Sequence, residues 1–368
     1  MTKLDFRQAL MSVSMFLALG CVAPPAIPLQ DGGEEDAGHD AGKPVEMFSC
    51  SPWQPAFSEV LDGGLIHLET GGGVSTFAVS DNRDQIAYQV QEGTVVVRDF
   101  EAGTELKVTT KRSLAAIFGT RLSASWVMLS GRDAKYQRFN FETCALDGPA
   151  INDSSGGPNP SDDVTRDSPA MSGPYWSWTS NSVLGRDLSI VIPGAASVTV
   201  PDTEVRVYNA SLVGSLALWQ ATNSVVGHPF FFRFIDLSSG WNTEREIVSH
   251  GALSDPHMRV SAGWTVWVDS PATGTYAVHA LETAQAHDAG IIDLASGSIR
   301  PMTLALKNGV VAWAETLPTP VLAWSDLNID GGVQRQPTPM GFAGMELHSA
   351  GLVYSVDHEL YIDPSFKR

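Results

Sequence analysis

The chain contains no Gly-x-Ser-x-Gly elbow, no His-Glu-x-x-His pair, no Walker loop and no Cys-x-x-Cys pair. The commonest local signatures of serine hydrolases, zinc peptidases, nucleotide-binding proteins and thiol redox proteins are therefore missing, and any catalytic constellation has to be assembled by folding. Positive charge is scarce. Lysine and arginine total 23 against 41 acids, a formal charge of -18 over 368 residues, which repels a phosphate backbone and argues against nucleic acid as a partner. Only 17% of the residues are charged, too few for a disordered polyelectrolyte. Long apolar runs are also lacking: the run Ala9 to Leu19 is too short to span a bilayer as a helix.

What is present is hydrophobic, at 43%, and heavily punctuated, with 34 glycines and 22 prolines, the composition of a turn-rich all-β protein. The stretch Leu304 to Glu315, LALKNGVVAWAE, shows the repeating unit: alternating apolar positions, an Asn308-Gly309 turn, then an apolar run ending in an aromatic and an acid. An aromatic marks the second strand of each such unit, at Tyr88, Trp126, Trp178, Trp219, Trp267, Trp313 and Tyr354, with gaps of 38 to 52 residues. Propeller blades recur at about 40 to 50 residues. Strand propensity alone accounts for the aromatics but not for their spacing. The fold expected is all-β: a single β-propeller of about seven four-stranded blades.

The ends suggest how the ring closes. The last unit offers Met345 to His348, Leu352 to Val356 and Glu359 to Ile362 and then stops one strand short, while Gly64 to Thr70 is a half-buried strand standing alone ahead of the first unit. Lending that N-terminal strand to the last blade removes two exposed edges.

Ahead of the propeller, Lys3 and Arg7 precede the apolar run and small residues precede Cys21, the layout of an export signal over residues 1–20. The ending Leu17-Ala18-Leu19-Gly20-Cys21 resembles the lipobox of bacterial lipoproteins, which implies a diacylglycerol thioether on Cys21. Ala18 stands where leucine is commonest, and Ala18-x-Gly20 also suits an ordinary signal peptidase, so plain secretion is the alternative. Residues 22–46, VAPPAIPLQDGGEEDAGHDAGKPVE, have no periodic apolar positions and read as a disordered acidic tether. Such DAG-containing linkers resemble those of myxobacterial lipoproteins. The propeller domain is assigned to residues 47–368. Val22 in place of Asp after the cysteine favours the outer membrane by analogy with enterobacterial sorting.

With Cys21 lipidated, Cys50 and Cys144 remain. In an exported chain they are a candidate disulfide, provided their α carbons come within roughly 7 Å, and otherwise two separate buried thiols.

The first unit, FAVSDNRDQIAY then TVVVRDF, Glu101-Ala102-Gly103 and TELKVTT, and the sixth unit's VLAWSDLNIDGGVQRQPT resemble the TolB-like propeller repeat over roughly residues 64–363. That resemblance implies a fold and no particular activity.

Candidate sites follow from position. Residues leading into successive inner strands gather at one channel mouth: Arg166, Glu204, Arg206, Asp255, His257 and Arg300, with Arg112, Asp167 and Glu346 beside them. Mixed charge in a shared funnel suits a polar ligand. Asp326-x-Asn328-x-Asp330-Gly331 opens like a calcium loop, but Gln334 and Pro337 occupy its ninth and twelfth positions, where a bidentate Glu belongs at the twelfth. His250, His257, His279 and His287 are scattered; Trp53, Trp176 and Trp241 are aromatics that either stack on sugars or fill gaps between blades. The long polar loop Asp147 to Asp167 is a further place for binding groups.

The function expected is an exported, lipid-anchored binding or scaffolding module of the bacterial cell envelope, with a protein or glycan ligand, no cofactor unless calcium, and membrane contact through the lipid alone. The alternative is a propeller enzyme, such as a metal-dependent polysaccharide lyase or a hydrolase, with His257, Asp255 and Glu204 converging at the channel mouth; oligogalacturonate lyases are similar at the level of fold.

Overall fold

The chain enters the fold as four short strands, β1 (Phe48–Cys50), β2 (Gln54–Pro55), β3 (Ser58–Val60) and β4 (Ile66–Leu68). The computed structural model describes residues 48–81, 83–91, 93–110, 122–123, 125–129, 137–147, 170–181, 186–191, 198–199, 205–223, 230–238, 245–248, 258–261, 263–269, 274–283, 290–298, 301, 303–315, 321–329, 332–339 and 341–367. Met1–Val45 is a unit separate from Glu46–Arg368, and the expected signal, Cys21 and tether lie outside the described residues. Among the described residues no helix is long and apolar enough to cross a membrane.

Seven sheets follow. The first blade has β5 (Thr76–Val79), β6 (Gln85–Gln91), β7 (Thr94–Asp99) and β8 (Thr104–Thr110); the second has β9 (Trp126–Leu129), β10 (Gln137–Asn140) and β11 (Ala145–Leu146). The third comprises β12 (Ala170–Ser172), β13 (Tyr175–Asn181), β14 (Arg186–Val191) and β15 (Val198–Thr199). The fourth comprises β16 (Val205–Val213), β17 (Leu216–Asn223), β18 (Phe230–Asp236) and β19 (Arg245–Val248). In the fifth run β20 (Met258–Val260), β21 (Trp264–Asp269), β22 (Tyr276–Glu282) and β23 (Ile292–Gly297). The sixth holds β24 (Thr303–Lys307), β25 (Val310–Glu315), β26 (Val321–Asp326) and β27 (Gln334–Pro337), and the seventh β28 (Phe342–His348), β29 (Gly351–Val356) and β30 (Glu359–Asp363). Each blade is an antiparallel meander in sequence order, giving the seven-bladed propeller. Asn308 and Gly309 both have positive φ, 50° and 81°, as a two-residue hairpin turn matched to strand twist requires.

The N-terminal strand closes the ring. It is shorter than the sequence suggests, with Ile66, His67 and Leu68 pairing antiparallel with Ile362, Tyr361 and Leu360 of β30. Each ladder hydrogen bond contributes about 0.5–1.5 kcal/mol net, and burying Leu68, which has no exposed surface, contributes about 2 kcal/mol more. Packing thus matters as much as pairing. His67 adds a hydrogen bond to Glu359 at 3.2 Å and stacks on Tyr361.

The blades are not uniformly four-stranded. β3 extends the seventh sheet beyond β4, and β1 and β2 both pair with β8, making the first sheet six-stranded. Residues 48–68 therefore form a strap over blades seven and one. Arg98, almost fully buried on β7, donates from its guanidinium to the Phe57 carbonyl of the strap. Cys50 and Cys144 are joined by a disulfide with α carbons 5.9 Å apart, which ties the strap to the β10–β11 turn of blade two.

The core lies between blades rather than at one centre. Val311, Trp313, Val278 and Leu352 join blades five to seven, and Ile86, Tyr88, Val353 and Leu360 seal blade seven to blade one around Leu68. Six of the seven repeat-marking aromatics lie on the second strand of their blade, Trp126 stands at the start of β9 and bridges back to Ser123, and Tyr88, Trp219, Trp267 and Trp313 are fully buried. Blade two differs in that Trp126 opens its strand whereas the other aromatics stand within theirs, with Arg138 over its ring at 5.0 Å.

Candidate functional site

A propeller directs its innermost strands along the central channel, and the parallel bridge between Ser80 and Leu122 shows adjacent blades doing so in one direction. The ends of these strands therefore form two rims, one where they begin and one where they turn back.

The first rim is where sequence places Arg166, Glu204, Arg206, Asp255, His257 and Arg300. Arg206 is the second residue of β16. The other five, with Arg112 and Asp167, lie outside the described residues. Glu346, on β28, accepts from Arg259 Nη2 at 3.2 Å. Arg259 is on β20, two residues after His257, and sequence reasoning passed over it. The pair joins the innermost strands of blades five and seven, skipping that of blade six, so it crosses the channel. Both side chains are about four-fifths buried, at 23% and 20% exposure, which makes the interaction less screened than a surface ion pair. Arg259 Nη1 donates to the Met258 carbonyl at 3.0 Å, and its buried Nε makes no hydrogen bond.

The opposite rim is a ring of equivalent residues, each the last before its blade's first turn: Ser80, Ser123, Ser172, Val213, Ser261, Lys307 and His348. They stitch blade to blade. Asp81 accepts from Ser123 Oγ at 2.8 Å and from Ser172 Oγ, the Gly173 amide donates to Ser123 Oγ, and the Gly214 amide donates to Ser172 Oγ at 2.6 Å. Asp84 accepts from Ser349 Oγ, and Lys307 Nζ reaches the Ser80 carbonyl at 3.4 Å. Burial pulls the Lys307 ammonium below its ordinary value against the opposing pull of Asp81 and Asp84. Burial, and then the Lys307 charge, push His348 down to about 4, so it is neutral near pH 7. These polar groups bond from blade to blade, apart from the buried His348 Nε2, which makes no hydrogen bond among the described residues, and the rim is built for closure.

The remaining expectations fall elsewhere. Asn328 accepts from Trp264 Nε1 at 3.2 Å and donates to the Asn308 carbonyl at 2.8 Å, while Asp326 Oδ1 accepts from the Asn328 amide at 3.0 Å. These are the contacts of a hairpin turn, and Asp330 lies outside the described residues. Among the described residues no group of three or more His, Cys, Asp or Glu is arranged to hold a metal. His279 lies between Asp269 at 3.2 Å and Asp293 at 2.7 Å; burial lowers its proton affinity, but hydrogen bonds and charge from Asp269 and then Asp293 raise it overall. The two carboxylates take opposite ring nitrogens, so they do not converge on one point. Trp176 is fully buried and fills a gap between strands, Trp53 packs edge-on against Phe141, and Trp241, His250, His257, His287 and most of the Asp147 to Asp167 loop lie outside the described residues.

No protein-family model and no curated protein matches the chain. Solved structures similar to it are β-propellers. The Swd1 β-propeller domain of Myceliophteria thermophila matches at 12% identity and a TM-score of 0.53, covering 82% of this chain and 99% of that one. The WD40 repeats of RRP9 match at 11% identity and 0.52, covering 84% and 98%, and U3-55K at 10% identity and 0.51, covering 78% and 94%. At such identities the likeness establishes the fold alone.

Proposed function

We propose that this chain is an exported, lipid-anchored propeller of TolB-like type that binds a polar partner, a protein or a glycan, at the strand-start rim of its channel. Cys21 carries the lipid, residues 22–46 hold the propeller off the outer membrane, and Arg166, Glu204, Arg206, Asp255, His257 and Arg300 contact the partner. The Arg259–Glu346 pair carries the reading: opposite charges pair between the innermost strands of blades five and seven, and Arg259 follows His257 by two residues and Asp255 by four in the chain. Arginine forks suit carboxylates and similar groups. A disulfide between Cys50 and Cys144 supports an oxidising compartment and hence export.

Two measurements test this. Cys21→Ser should move the protein from the membrane fraction to the soluble fraction and remove the mass of a diacylglycerol; a wild-type protein that is already soluble and unmodified refutes the anchor. Partner capture from detergent-solubilised envelopes should be lost in the Arg206→Ala/Arg300→Ala variant while its melting temperature stays unchanged. Capture retained after both changes refutes the rim.

A further inference from the structure

On the turn side of blade six the sheet and the C-terminal turn enclose an open cavity of about 220 Å³. Strand register builds one wall. Val310 pairs with Asp326 and Trp324 with Gln334, and because side chains alternate along a strand, these neighbouring rungs present one shared face. The other wall is the turn Pro364–Phe366, held by Asp363, whose carboxylate accepts from the Ser365 amide at 3.0 Å. Phe366 lies edge-on to Trp324, with ring centroids 5.1 Å apart at 68°. Ile329, 60% exposed, stands at the rim beside Gly332.

The lining is chemically two-sided. Val310, Trp324 and Phe366 supply an apolar floor, while the Asp326 carboxylate, the Gln334 amide and the Ser365 hydroxyl surround it. Among the described residues no lysine or arginine lines the space, and the chain carries a charge of -18, so an anionic ligand is disfavoured. A purely alkyl ligand leaves the surrounding polar groups unused. A quaternary ammonium is held best by aromatic faces, whereas Phe366, 6% exposed, presents little surface to the cavity. A pyranose ring has an apolar C–H face for one aromatic and hydroxyls for peripheral acceptors and donors.

We infer that this cavity binds a neutral sugar ring, with Trp324 against its apolar face and Asp326, Gln334 and Ser365 on its hydroxyls. The inference rests on the reading of the chain as a binding module and gives that module a ligand class on a surface away from the strand-start rim.

The test is saturation-transfer NMR on the intact chain with glucose, galactose, mannose and N-acetylglucosamine, and with galacturonate and choline as charged probes. At least one neutral sugar should receive saturation, and neither charged probe should. Gln334→Trp, at an exposed strand position, fills the cavity and should abolish the transfer. Asp326→Asn keeps the turn contact to the Asn328 amide but replaces a charged acceptor by a neutral one, and should weaken the sugar about tenfold. Silence from all four neutral sugars, transfer surviving Gln334→Trp, or binding of choline alone would each overturn the inference. Sugar binding that survives Gln334→Trp but is lost in Arg206→Ala/Arg300→Ala overturns this cavity and leaves the binding-module reading standing. Failure of partner capture at the strand-start rim bears on that reading and leaves the sugar titration unaffected.

Discussion

Replacing Cys50 and Cys144 by alanine asks how much of the propeller's stability depends on fastening its strap. The bridge closes a loop with a sequence separation of 94, and the loop entropy removed from the unfolded chain at that length is worth about 4.7 kcal/mol. The contacts around it do not run through the sulfur atoms: β1 is in register with β8, and Phe48 packs on the Phe139 cluster. The loss should therefore be close to that loop term. For a unit running from Glu46 to Arg368, an unfolding entropy of about 2.1 cal/mol/K per residue converts it into a fall of about 7 °C in melting temperature. Differential scanning calorimetry of the double variant, of each single variant and of the reduced wild type should give one common fall, because each removes the same bond. A double variant melting within about 1 °C of the oxidised wild type refutes the reasoning. So would single variants whose falls add up to that of the double, since partners in one bond are not independent.

Three further outcomes follow from the ring, its turn-side rim and the blade-five histidine. A chain lacking residues 1–46 should melt like the full chain, whereas one lacking residues 1–71 loses β1 to β4, bares the edges of β8 and β30, and should aggregate on size-exclusion chromatography; equal behaviour of the two refutes closure by the N-terminal strand. His348, pushed down from its ordinary 6.5 to about 4, stays neutral in the fold while the unfolded chain takes up a proton, so its stabilisation is present above pH 6.5 and is lost as pH falls towards 4, by about 3 kcal/mol. Urea titrations at pH 7 and 4.5 should show that slope and show it flattened in His348→Asn. His279, raised by Asp269 and Asp293, acts with the opposite sign: its contribution is full below 6.5 and is lost as pH rises through the raised value, and an unchanged alkaline limb in His279→Gln refutes it.

The blades were legible because each needs one large side chain to fill the wedge against its neighbour, and Tyr88, Trp219, Trp267 and Trp313 supply it on the second strand every time. In blade three the pattern is ambiguous by one alternation, since β13 carries Trp176 as well as Trp178 and Trp176 has no exposed surface. The strap was illegible for a different reason. β1, β2 and β3 are two or three residues long, reading FSC, QP and SEV, too short to show any alternation. Their partners on β8 and β4 are fixed by edge pairing and by the disulfide, neither of which leaves a periodic trace.

The candidate site fails to announce itself because a repeat fold brings together residues one or two repeats apart rather than near neighbours in the chain. Ser172 and the Gly214 amide are 42 residues apart and Ser123 and the Gly173 amide 50, one repeat each; Arg259 and Glu346 are 87 apart, two repeats. Serine before a turn is common enough that Ser80, Ser123, Ser172 and Ser261 pass as ordinary turn residues until their offsets are compared. Aligned by that offset, Lys307 and His348 become visible as the two positions where the ring exchanges a hydroxyl for an ionisable group, and both are buried against charge from Asp81 or Asp84. The same alignment separates the two rims by role. One ties its serines, an aspartate and glycine amides together from blade to blade, and the other holds a charged pair two blades apart, so mixed charge suited to a polar partner stands at the strand-start rim.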